Sequence, residues 1–102
     1  VPVYYEVATE PFADLFAADP NIIGRVWRVT GEVVSGKDTF GEFHILSDEG
    51  VDYAIGLDSE VNRRGVEFDI GDRITATGPL LYSYSIYSVV ITRIGQITVH
   101  ED

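Results

Sequence analysis

The strictest constraint on this chain is an alternation over residues 24–34, Gly-Arg-Val-Trp-Arg-Val-Thr-Gly-Glu-Val-Val. Trp27, Val29, Gly31 and Val33 fall on one side of an extended backbone, and Arg28, Thr30 and Glu32 fall on the other. A period of two in β-branched residues specifies a strand with one buried face. Gly31 lies in the buried row, where it fills little space. A glycine there marks a sharp bend or the close approach of another backbone. The stretch therefore reads as the long, bent first strand of a small closed barrel.

The rest of the chain supplies partner strands. A second strand is expected over 40–47 and a third over 51–57, with Asp48-Glu49-Gly50 as the tight hairpin between them. Ser35-Gly36-Lys37-Asp38-Thr39 is a turn by composition. Val51, Tyr53, Ile55 and Leu57 alternate with Asp52, Ala54 and Gly56. Asp58-Ser59 can cap a single helical turn running through Arg63 and ended by Gly65. A fourth strand is expected over 73–79, with Ile74, Ala76 and Gly78 inward and Pro79 closing it. A fifth spans 84–94 and breaks at Gly95. Residues 97–99 continue it or form a short separate strand, and His100 begins a frayed tail.

Upstream, residues 1–8 read as an arm or edge strand, because Pro2 disfavours a central position. Residues 9–19 read as one short helix with Thr9 as N-cap and Pro11 in the first turn. Phe12, Leu15 and Phe16 share a face suited to plugging an open end of the barrel. Pro20 ends the segment by disfavouring helical geometry at Asp19.

Composition narrows the class. At 102 residues the chain fits one domain, spanning 1–102. It has no cysteine, which rules out disulfides and thiolate metal sites. Apolar residues make up 45%, too many for a disordered chain. No run of about 18 apolar residues occurs, so no membrane span is expected. Acidic residues outnumber basic ones 17 to 7, for a net charge of −10. Lys37 is the one lysine. That balance fits an acidic, lysine-poor protein such as a salt-loving host makes. It argues against duplex DNA, which is held by neutralising phosphates. The chain begins at Val1, as after removal of a leader or tag, and the compartment stays open between cytoplasmic and exported.

Five strands with a helical turn between the third and fourth match the order of the OB-fold, a five-stranded Greek-key barrel. Residues 26–33 read Val-Trp-Arg-Val-Thr-Gly-Glu-Val, residues 43–49 read Phe-His-Ile-Leu-Ser-Asp-Glu, and residues 70–78 read Ile-Gly-Asp-Arg-Ile-Thr-Ala-Thr-Gly. Together they resemble the signature of OB-fold domains of the tRNA anticodon-binding-like, nucleic-acid-binding type: V-x-G-x-V, F-x-x-L-x-D-E and G-D-x-I-x-x-x-G. The helix leading into the first strand resembles single-domain members of that group. The resemblance covers about 90 residues, mostly core and turn positions. It implies an all-β barrel and a non-enzymatic module for single-stranded nucleic acid. Haem-chaperone OB domains are similar at this level and carry a haem-binding histidine near the end of the last strand. His100 lies near that place, but its neighbours do not match.

Catalytic chemistry finds little support. His44 and His100 are the two histidines, and no G-x-S-x-G, P-loop, G-x-G-x-x-G after a strand or H-E-x-x-H occurs. His44 reads as a residue on the barrel wall. Asp48, Glu49 and Asp52 cluster at one turn, and Asp69 and Asp72 at another, without EF-hand spacing. Such residues commonly stabilise turns, so no metal and no cofactor is expected. OB-folds bind on the face of strands 2 and 3, framed by the loops joining strands 1–2 and 4–5. The first loop holds Lys37 and Phe40, and the second holds Leu81, Tyr82, Tyr84 and Tyr87. Rings on such loops can stack on bases at about 1–3 kcal/mol each without net positive charge. Arg28, on the outer face of the first strand, can reach a backbone phosphate. Arg63-Arg64 reads as a solvated turn. The expected site is therefore Arg28, Lys37, Phe40, Tyr82, Tyr84 and Tyr87, with single-stranded nucleic acid as ligand. The alternative is a protein-interaction or envelope-associated OB domain, favoured by the acidic charge.

Overall fold

The computed structural model describes residues 4–83 and 85–100. They form seven strands in one sheet, with two short α-helices. The strands are β1 (Tyr5–Glu6), β2 (Val26–Val33), β3 (Glu42–Leu46), β4 (Asp52–Leu57), β5 (Arg73–Ser83), β6 (Ile86–Ile91) and β7 (Ile97–His100). Helix α1 is Phe12–Ala18 and α2 is Ser59–Arg64. The order across the sheet is β1-β2-β3-β4-β6-β5-β7, and β2 also pairs with β5. Hydrogen bonding thus runs from β2 through β3, β4, β6 and β5 back to β2. The β4–β6 pairing is parallel, and β2–β3, β3–β4, β5–β6 and β2–β5 are antiparallel.

The inward rows are those set by the alternation. Trp27, Val29, Gly31 and Val33 are buried in β2, and Ile74, Ala76, Gly78 and Leu80 in β5. Phe43, Ile45, Tyr53, Ile55, Val89 and Ile91 complete the core. Gly31 is there because of a backbone contact. A Cβ on it would lie 2.7 Å from the Leu46 carbonyl carbon and against its oxygen. This lets β2 lie along β5 from Val26 to Glu32 while Glu32 and Val33 turn to pair with β3.

Four elements depart from the sequence expectations, each for a local reason. Helix α1 starts at Phe12, and Thr9 does not cap it. Pro11, extended at φ −70° and ψ 150°, occupies the cap position. A residue before proline avoids helical geometry, so Glu10 cannot open the helix. After α1, Pro20–Ile22 form a 3₁₀ turn in which Asp19 Oδ1 accepts from the Asn21 amide at 3.0 Å.

Pro79 does not close the fourth strand, since β5 continues to Ser83. On the flank away from β2, β7 stops at Ala76 and β6 begins at Leu80. Pro79 sits between those two ladders, where no donor is required. The fifth strand ends at Ile91, well short of residue 94. Gln96 Oε1 accepts from the Thr92 and Arg93 amides at 2.9 and 3.1 Å and pulls the chain into a 3₁₀ turn. Finally, His100 is not a frayed tail. It pairs with Arg73 across β5–β7, with Nε2 2.7 Å from Thr75 Oγ1.

Other expectations hold. Asp58 caps α2 by accepting from the Val61 amide at 2.9 Å, and Gly65 ends it in left-handed geometry. Part of the N-terminal arm is a strand, with Tyr5–Glu6 parallel to β2. The apolar face of α1 packs on the sheet. Phe12 meets Trp27 and Tyr53 with ring centroids at 5.5 and 5.3 Å, and Phe16 meets Tyr87 at 5.5 Å.

Candidate functional site

The outward-facing rows of β3, β4, β6 and β5 assemble a groove of about 630 Å³. Register places Glu42 beside Gly56, Gly56 beside Val90, Ala54 beside Ser88, and Ser88 beside Leu81. Gly56 and Ser88 leave the middle of this face low. Phe40, Leu81 and Ile86, all exposed, supply apolar walls. Glu42 is the one charged residue in the lining.

Gly56 has no conformational reason to be glycine, because its φ is not in the left-handed region. A Cβ added there would find its nearest neighbours, Ser88 Oγ and Val90 Cγ2, at 3.9 Å. That is ordinary contact. A Cβ at 56 would reduce the groove without displacing the strand.

Phe40 is 86% exposed, yet the turn that carries it is fixed. Asp38 Oδ1 accepts from the Phe40 and Glu42 amides, both at 2.9 Å, and the Asp38 amide donates to the Glu42 carbonyl at 3.0 Å. The aspartate side chain stands in for a backbone turn. The ring is thus presented to solvent by a hydrogen-bonded loop, which lowers the entropic cost of covering it.

The other expected site residues are distributed differently. Tyr82 and Tyr87 are not loop residues: they are opposite one another in the β5–β6 hairpin, with ring centroids 4.6 Å apart. Tyr87 also packs on Phe16, so it supports the ring pair, while Tyr82 is 54% exposed. Tyr84 lies outside the described residues. Lys37 is not part of the groove lining, and its Nζ lies 3.5 Å from the Val66 carbonyl oxygen. Arg28 lines a separate cavity of about 330 Å³ together with Glu6, Thr30, Asp48, Glu49 and Arg73. Its Nε donates to Thr77 Oγ1 at 3.0 Å, Nη1 donates to Tyr4 Oη at 2.7 Å, and its guanidinium lies 3.9 Å over the Tyr4 ring. The structure thus brings Phe40 to the groove and pairs Tyr82 with Tyr87, but places Arg28 elsewhere. Glu42, Gly56, Ile86, Ser88 and Val90 were missed as groove residues. Gly56, a glycine within a strand pattern, was the one signal available.

Several polar side chains pair with one another. Arg73 donates to both oxygens of Asp48 at 2.9 Å, and this hydrogen-bonded charge pair holds the Asp48 carboxyl below its usual range. His44 Nδ1 lies 2.7 Å from Asp52 Oδ1, and its Nε2 lies 3.8 Å from Glu42 Oε1. Among the described residues no group of three metal-ligating side chains converges, and no helix is long and apolar enough to cross a membrane. The chain matches no model of a known protein family and no curated protein.

Proposed function

We propose that the ring of five paired strands is an OB-type Greek-key barrel and that the chain is a non-enzymatic binding module. Its ligand site is the groove beside Phe40, and the ligand the groove fits best is a segment of another protein. The observation that carries this reading is the character of the lining: apolar walls, two serines, one carboxylate and no basic residue. A strand of nucleic acid would bring phosphates to that face with no cation there to meet them. An apolar peptide meets no such penalty, and the Ser83 and Ser88 hydroxyls can pair with its amides.

One observation favours single-stranded nucleic acid as the second reading. The bare Phe40 ring and the Tyr82–Tyr87 pair are the kind of surface on which bases stack. The two readings separate in one titration. Amide shifts of the isotope-labelled domain are followed as apolar peptides, or dT and rU oligomers, are added at low and high salt. Peptide-dependent shifts at Phe40, Gly56, Leu81 and Ser88 support the first reading. Oligomer-dependent shifts at Tyr82 that Tyr82→Ala removes support the second. Shifts confined to the cavity around Arg28 would overturn both.

A further inference from the structure

We infer that the groove takes a short, extended peptide whose aliphatic residues are flanked by lysine or arginine, with one cation seated on Glu42. This rests on the reading of the groove as the ligand site. Extent, charge and floor each point the same way.

The lining crosses four adjacent strands, from Glu42 on β3 through Gly56 on β4 and Ser88 on β6 to Leu81 on β5. Strands lie about 4.8 Å apart, so this path is about 14 Å long. An extended chain covers it with about four residues. Glu42 marks one end of the path, and the apolar walls of Leu81 and Ile86 mark the other. A segment with aliphatic side chains at one end and a cation at the other matches that polarity.

The domain's net charge of −10 repels an acidic segment and draws a basic one. Arg25, Arg64 and Arg73 already face Asp19, Glu60 and Asp48. Among the described ion pairs Glu42 faces no lysine or arginine, and its one partner is His44, with Nε2 at 3.8 Å. It is therefore the carboxylate in the groove open to an incoming cation. Acidic rims also select against wrong partners, because a like charge placed opposite them is penalised. The floor is low because Gly56 carries no side chain, and its nearest neighbours, Ser88 Oγ and Val90 Cγ2, stand 3.9 Å from where a Cβ would lie.

The test uses three labelled peptides with the same aliphatic core, flanked by Lys, Ser or Glu, read by fluorescence anisotropy against the intact domain. The expected order is Lys tightest and Glu weakest, with about two- to fivefold between Lys and Ser, the range for a partly exposed ion pair. Glu42→Gln should remove that preference, and Glu42→Lys should reverse it. Glu49→Gln, the same charge change in the separate cavity, should leave it intact. Gly56→Val should abolish binding of all three while the domain keeps or slightly raises its unfolding midpoint. Equal binding of the Lys and Glu peptides overturns the inference but leaves the groove as the ligand site. Equal loss with Glu42→Gln and Glu49→Gln also overturns it, reducing the effect to the domain's overall field. If no peptide binds, the peptide reading falls with it. A dT oligomer displaced by Gly56→Val, or a dimer in sedimentation that Gly56→Val dissolves, would then identify the occupant as nucleic acid or a second copy.

Discussion

Gly31 and Leu46 meet backbone to backbone where β2 leaves β5 for β3, and no Cβ fits between them. A methyl on Gly31 would sit 2.7 Å from the Leu46 carbonyl carbon and 3.1 Å from the Ser47 nitrogen. Neither neighbour is a flexible side-chain end, so relief requires one strand to move. Gly31→Ala is expected to cost about 1–3 kcal/mol, the usual range for overpacking. Gly56→Ala has its nearest contacts at 3.9 Å and is expected to be neutral or slightly stabilising, since a mid-strand glycine is worse than alanine by about 0.5–1 kcal/mol. Urea unfolding of the two variants checks this. Equal costs would mean that the close approach at Gly31 is not what demands glycine.

Phe12 ties the short helix α1 to the sheet. It is buried between the rings of Trp27 and Tyr53, and α1 has no side-chain cap of its own. A seven-residue helix gains little from its own hydrogen bonds, so packing must hold it. Phe12→Ala is expected to lose about 3–5 kcal/mol. Ala13→Ser, on the exposed side of the same turn, should change stability by less than about 1 kcal/mol. The comparison is read from thermal or urea midpoints together with the Trp27 fluorescence, which should shift in the first variant and stay in the second.

The inward rows of β2 and β5 were legible because alternation is a local signal carried by each strand alone. The Asp58 cap and the Gly65 stop of α2 were legible for the same reason. The errors fell where the outcome depends on a distant partner. Pro79 looks like a strand end until β6 and β7 are seen to leave its flank unpaired. Gln96 ends β6 through a side-chain hydrogen bond that no periodicity encodes. The site divides in the same way. Phe40 was legible as an aromatic beside a turn. The groove was not, because Gly56, Ser88 and Leu81 become neighbours only through the β4–β6 and β5–β6 registers. Arg28 was placed correctly on the outward row. Its stacking under Tyr4 depends on the β1–β2 edge pairing, which two residues alone could not announce.

The Asp48–Arg73 pair joins the β3–β4 hairpin to the start of β5. Its two parallel hydrogen bonds hold the Asp48 carboxyl below its usual range, so the folded chain releases that proton more readily than the unfolded one. The pair's contribution is present above the ordinary carboxylate pKa and is lost as pH falls through the lowered folded value. Both partners are exposed, so salt should screen it. Arg73→Gln should therefore flatten stability against pH in the acid range at low salt, and the difference from wild type should shrink at high salt. A difference that persists unchanged at high salt would assign it to packing.

Tyr53 sets a second pH limit, on the alkaline side. Its ring is buried between Phe12 and the core, and its hydroxyl donates to the Glu10 carbonyl at 2.8 Å. Burial pushes its pKa up from 10.0 to about 12, because the phenolate loses its hydration while the neutral form keeps its place. The folded chain thus holds this proton more tightly than the unfolded chain does. Tyr53 contributes fully below pH 10, and the contribution drains away as pH rises toward about 12. The loss across that window is on the order of 2 kcal/mol. Tyr53→Phe keeps the ring and removes both the titration and the hydrogen bond. It is expected to be less stable at neutral pH by about 1 kcal/mol. Between pH 10 and 12 it should then lose less stability than wild type, so that the two stability curves converge and then cross within that window. Parallel decline of the two proteins would show that Tyr53 ionises as freely in the folded chain as in the unfolded one, and that its hydroxyl is not enclosed by α1 and β4.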